Sequence, residues 1–200
     1  MKRIAIEIDG VLRDTYEKID QLYQKFFIDE LELVDEDFQY EIKKPFDTDN
    51  IRNHFAFKTD EEYYSFMYEE FVMQIFGHAP STELSTFLDF SKIIKNYKNK
   101  IEFILVGEQV GKTKPATLFF IAKFGCEIDK IIFYNKNNIE RIENEFDILL
   151  AASPSLIEFY KDKTTIKYET SYNSNMNSEI TISELKELEL TLNNILDNDD

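Results

Sequence analysis

The sequence predicts an α/β protein: a five-stranded parallel sheet flanked by helices, with a helical insertion after its first strand. Three observations carry this. Mostly apolar runs recur at residues 2–8, 101–107, 129–134, 147–151 and 165–169, as strands covered on both faces require. Segments with apolar residues at helical spacing separate the later runs, and alternation of strand and helix argues for parallel pairing. Between the first and second runs, residues 15–88 carry helical patterns and no convincing strand. The division that follows is a core of 1–14 and 89–200 with an insertion at 15–88.

Each element has its own warrant. Ile4, Ala5, Ile6 and Ile8 form the first strand, and Gly10 permits a sharp exit from it. Ile19, Leu22, Tyr23, Phe26 and Phe27 recur at three and four, one face of a helix. Leu31 to Lys58 is irregular. Thr59 followed by Asp60, Glu61 and Glu62 is a capped helix start, and Tyr64, Met67, Phe71, Val72 and Ile75 give that helix a buried stripe up to Gly77. Further helices are expected at Leu84 to Tyr97, Ala116 to Phe124 behind Pro115, Ile139 to Phe146 and Ser155 to Tyr160. After an Asn-rich loop, Thr181 opens a last helix whose apolar set is Ile182, Leu185, Leu188, Leu192, Ile195 and Leu196. That stripe either completes the core or docks a partner.

Composition removes several classes of function. A formal charge of −16 over 200 residues argues against a nucleic-acid groove, because phosphate backbones are bound through Lys and Arg. Cys126 is the lone cysteine, expected to be buried, so neither a disulfide framework nor a thiolate cluster is expected; His54 and His78 are the only histidines. No apolar run reaches the length of a membrane span, and the start reads as a strand rather than a signal peptide. A cytoplasmic or virion location, not a secreted one, is expected. Lys far outnumbers Arg, and Ile and Asn are plentiful, which fits an AT-rich genome of the bacterial or phage kind.

The chemistry-bearing residues begin in the first strand. Side chains alternate along a strand, so Glu7 and Asp9 share a face at its carboxyl end, where ligands sit in open α/β sheets. The stretch Glu7-Ile8-Asp9-Gly10-Val11-Leu12-Arg13-Asp14 resembles the first motif of the haloacid dehalogenase-like (HAD) phosphatases, especially their deoxyribonucleotidase-like branch. The resemblance implies a three-layer Rossmannoid core with a helical cap, an Asp nucleophile, a second Asp as general acid and base, and magnesium. Here the nucleophile's position holds Glu7, and Asp9 holds the second. The second motif, a Ser or Thr, falls on Gly107, and the motif lysine on Lys136, with Lys112 and Lys114 less well placed. Where the family ends its fourth motif in two metal-binding acids, this chain has Ala151 and Ala152 before Ser153 and Pro154.

Alanine offers no oxygen to a hard cation that needs near-octahedral carboxylate ligands. Without the metal, the stabilisation of a transferring phosphoryl group is lost. Asp9 and Asp14 then read as turn-capping residues. The expectation is a catalytically inactive HAD-like protein with no cofactor, kept for a structural or protein-interaction role, such as a component of a phage particle, with a protein partner or copies of itself. The vestigial site is Glu7, Asp9, Gly107 and Lys136. The alternative is a magnesium-dependent phosphatase or 5'-nucleotidase in which Glu7 and Asp9, joined by Asp14 or Glu108, hold the metal. A small-molecule binding module is a third reading.

Overall fold

The computed structural model describes residues 1–28, 50–55, 57–126, 128 and 130–197. All of its strands pair in parallel in a single sheet of order β3-β2-β1-β4-β5-β6. The strands are β1 (Lys2–Glu7), β2 (Ile101–Glu108), β3 (Lys130–Tyr134), β4 (Ile148–Ala151), β5 (Thr164–Tyr168) and β6 (Ile180–Ile182). β1 is central, hydrogen-bonded to β2 on one side and β4 on the other, with Glu7 opposite Val106 and Ile6 opposite Leu150. Its carboxyl end therefore opens where the strand order reverses, the usual crevice of such sheets.

The sheet has six strands, not five. The sixth, Ile180-Thr181-Ile182, pairs with β5 residue by residue from Ile166 to Tyr168. It was expected to open the last helix, but two isoleucines flanking a threonine favour extended backbone. Ile182 is buried on the sheet. The helix itself runs Leu188–Asp197 after a short 3-10 turn at Leu185–Glu187.

Apolar residues cover both faces, as the unbroken strands require. Ile4, Ile6 and Ile8 face a core built with Phe90, Ile93, Phe120, Leu188 and Leu192. Ala5, Ile104, Val106, Leu149 and Ala151 face the other, against Ile142, Leu156 and Tyr160. The last helix completes the first of these: Leu185, Leu188 and Leu192 are fully buried there, and Ile195 and Leu196 pack against it. Tyr97 ties the helix down by donating to the Glu189 carbonyl at 2.9 Å and to Asn193 Oδ1 at 2.6 Å.

A separate aromatic cluster lies in the helical stretch after β1. It gathers Ile19, Tyr23, Phe55, Phe57, Phe66, Met67 and Ile75, with Tyr23 in ring contact with Phe55, Phe57 and Phe66. Thr59 caps the Asp60–Ser65 helix through the Glu62 amide, as the sequence suggests. The expected single helix to Gly77 is instead broken into wider turns at Phe66–Glu70 and Met73–Gly77. Their closing bonds, Phe71 N–H to Phe66 O and His78 N–H to Met73 O, span five residues and mark π-turns, which recur near functional sites. Most of the Leu31–Lys58 stretch read as irregular lies outside the described residues.

Candidate functional site

Glu7 is the last residue of β1 and only 5% exposed. Its Oε2 accepts from the Ala152 and Ser153 amides, each at 2.8 Å. Burial pushes its carboxyl up to about 8, against the pull of those two amides, and the charges of Asp9 and Glu108 add to the rise. A carboxyl with such a value is protonated at neutral pH.

Asp9 is engaged differently. Gly10 turns at φ +81°, its amide bonds the Arg13 carbonyl, and the Leu12 and Arg13 amides return to the Ile8 carbonyl. This tight loop folds Arg13 back over Asp9. Arg13 Nε donates to Oδ1 and Nη2 to Oδ2, both at 2.8 Å, while Thr15 Oγ1 also donates to Oδ1. The guanidinium is buried; its Nη1 donates to the Phe76 carbonyl at 2.5 Å and to Thr117 Oγ1 at 3.0 Å. The Phe76 and Phe120 rings sit beside it at 5.1 and 5.2 Å. Asp9 was expected to cap turn amides and instead holds a cation. Asp14 does cap, accepting from the Glu17 amide.

The remaining motif positions are partly convergent. Gly107 lies within β2, where an added Cβ would sit 3.3 Å from Ile8 Cδ1 and 3.6 Å from Phe133 Cε1. Glu108, the next residue, is pushed up by burial while Lys136 opposes the shift. Lys136 Nζ lies 4.0 Å from Glu108 Oε2, on a side chain 59% exposed. Ala151 and Ala152 are fully buried, on opposite sides of the sheet.

Glu7, Asp9, Glu108 and Lys136 line one cavity of about 410 Å³; Gly107, Ala151 and Ala152 do not. Its other walls include the rings of Tyr16, Tyr63, Tyr68, Tyr134 and Tyr172. Tyr172 also packs over the Gly10 turn, its hydroxyl 2.3 Å from where a Cβ on Gly10 would be, and it stacks on Tyr16 at 4.8 Å.

Magnesium does not fit this donor set. The alanines supply no oxygen, Asp9 is already occupied by a guanidinium, and among the described residues no three His, Cys, Asp or Glu side chains are grouped to hold a metal ion. Arg13, Thr15 and Tyr172 were missed in the sequence. Arg13 stands four residues after Asp9, but that spacing signals a pair only once the Gly10 turn is known. Cys126 is half-buried rather than enclosed, its thiol pushed up to about 11 by burial. No described helix is long and apolar enough to cross a membrane.

This is the HAD-like fold: a parallel α/β sheet with β1 central and helices on both faces. Similar solved structures include the candidate HAD hydrolase YfnB of Bacillus subtilis, bound to magnesium, at 12% identity and TM-score 0.55, covering 96% of this chain and 98% of that one. A candidate HAD-like hydrolase of Burkholderia xenovorans matches at 6% identity and TM-score 0.54, over 97% of each chain. A candidate β-phosphoglucomutase of Thermotoga maritima matches at 14% and 0.53, over 98% of this chain and 100% of its own. None of these three carries the name of a deoxyribonucleotidase. No protein-family model matches the sequence, and no curated protein does.

Proposed function

We propose that this chain is a catalytically silent HAD-like protein whose retained role is structural or interactive, with a protein partner or further copies of itself. The observation that carries the reading is the Asp9–Arg13 pair: the carboxylate that would act as general acid and base is held on both oxygens by a buried guanidinium. A proton-transfer group must be free to gain and lose its proton near the operating pH. Both Asp9 oxygens point into the guanidinium, which leaves neither turned to a substrate. Glu7 adds a second obstacle, since a protonated carboxyl with one oxygen turned to two amides is a weak nucleophile.

Composition supports placing such a role in an assembly, a phage particle being the form it suggests. The second reading, a magnesium-dependent hydrolase of nucleotides or other small phosphates, rests on Glu7, Asp9 and Lys136 lining one cavity. Calorimetric titration of the intact protein with magnesium separates the two. No saturable heat at millimolar ion is expected; a one-to-one isotherm abolished by Asp9→Asn would favour the hydrolase.

A further inference from the structure

We propose that the cavity above Glu7 binds a small organic ammonium ion with an aromatic or alkyl body, seated between the Glu7 and Glu108 carboxyl groups and the surrounding tyrosine rings. The proposal deepens the silent-site reading and rests on it, because a working hydrolase would fill the same space with a phosphate.

Charge is the first argument. Three acids and one lysine line the cavity; Glu7 is protonated at neutral pH, so the charge it offers a ligand comes from Glu108. Asp9 is matched by Arg13, and among the described residues Glu108 is paired with the largely exposed Lys136 at 4.0 Å. Among the described residues Glu7 has no cationic partner. Its Oε2 takes both amides, whereas Oε1 accepts no hydrogen bond from the described residues, although the side chain is buried and lines the cavity. An ammonium ion entering the cavity brings this oxygen a hydrogen-bond partner. The protein's formal charge of −16 draws cations toward it as well.

The rings are the second argument, independent of the acids. Tyr16, Tyr63, Tyr68 and Tyr172 face the same space, and aromatic faces attract cations while burying an apolar body. Tyr63 and Tyr68 stand edge to face at 6.1 Å, and Tyr16 and Tyr172 are stacked. The space, about 410 Å³, is of small-molecule size. An anion meets the Glu108 carboxylate and a lysine whose charge is mostly in water.

The test is calorimetry on the intact chain with 2-phenylethylammonium, its neutral counterpart 2-phenylethanol, and phenyl phosphate. The ammonium should bind about tenfold or more tighter than the alcohol, and Glu108→Gln should weaken it by about tenfold. Equal binding of ammonium and alcohol, tighter binding of phenyl phosphate, no ammonium binding, or binding indifferent to Glu108→Gln would each overturn the proposal. Hydrolysis of phenyl phosphate in the presence of magnesium is a separate readout. It would overturn the silent-site reading, whereas failure of the ammonium without hydrolysis overturns only the cavity assignment.

Discussion

The guanidinium of Arg13 meets the carboxylate of Asp9 edge to edge, with Nε–Oδ1 and Nη2–Oδ2 both 2.8 Å, and is itself closed off from solvent. The pair joins the first loop to the helical region, since the same guanidinium donates to the Phe76 carbonyl and to Thr117. The Arg13 side chain is 1% exposed and that of Asp9 30%, so removing Arg13 leaves a largely desolvated carboxylate without its cation. Arg13→Ala should therefore destabilise the chain by about 3–5 kcal/mol. Urea unfolding checks this, and a loss under about 1 kcal/mol would mean the pair is not held as described.

Glu7 makes stability depend on pH in an unusual direction. Its carboxyl titrates at about 8 when folded, against an ordinary value of 4.5. Between those values the folded chain holds a proton that the unfolded chain has released, so stability falls as pH rises across that window. Below it the contribution is fully present. The loss attributable to this group is on the order of 4 kcal/mol. Thermal unfolding should show wild type losing more stability between pH 5 and pH 8 than Glu7→Gln, whose amide has no charge to expose. Parallel pH profiles for the two proteins would contradict the buried, protonated Glu7.

Gly10 is a place where a methyl group is excluded twice. Its φ of +81° is a left-handed conformation, and a Cβ there would fall 2.3 Å from Tyr172 Oη and 2.7 Å from Ala152 Cβ. Gly10→Ala should cost more than the roughly 1 kcal/mol of an unfavourable φ alone. Adding Tyr172→Phe should recover part of the difference by removing the nearest atom. No recovery in the double variant would place the cost in the backbone or the Ala152 contact and not in the tyrosine.

Most of the sheet was legible because strands covered on both faces are written as mostly apolar runs, which β1, β2 and β4 are. The sixth strand was not, since three residues are too few to show a period and the helical pattern behind them was strong. The π-turns at Phe66 and Met73 escaped for a related reason: the apolar spacing of a helix survives a widened turn. At the site, strand parity put Glu7 and Asp9 on one side, and both line the cavity with Lys136. What parity cannot give is the partner of each carboxyl group. Arg13 reaches Asp9 through a glycine turn, and it is steadied by a carbonyl at Phe76 from a different part of the chain. Tyr172 comes from a loop far along the sequence. Such contacts belong to tertiary structure and leave no local signature.

The central claim is that the site no longer turns over phosphate esters. Phosphate release from nucleoside monophosphates and p-nitrophenyl phosphate, measured with magnesium for wild type and Glu7→Gln side by side, tests it most directly. Equal rates are expected for the two proteins, both at the level of a mock preparation. Magnesium-dependent release by wild type that Glu7→Gln abolishes would contradict it.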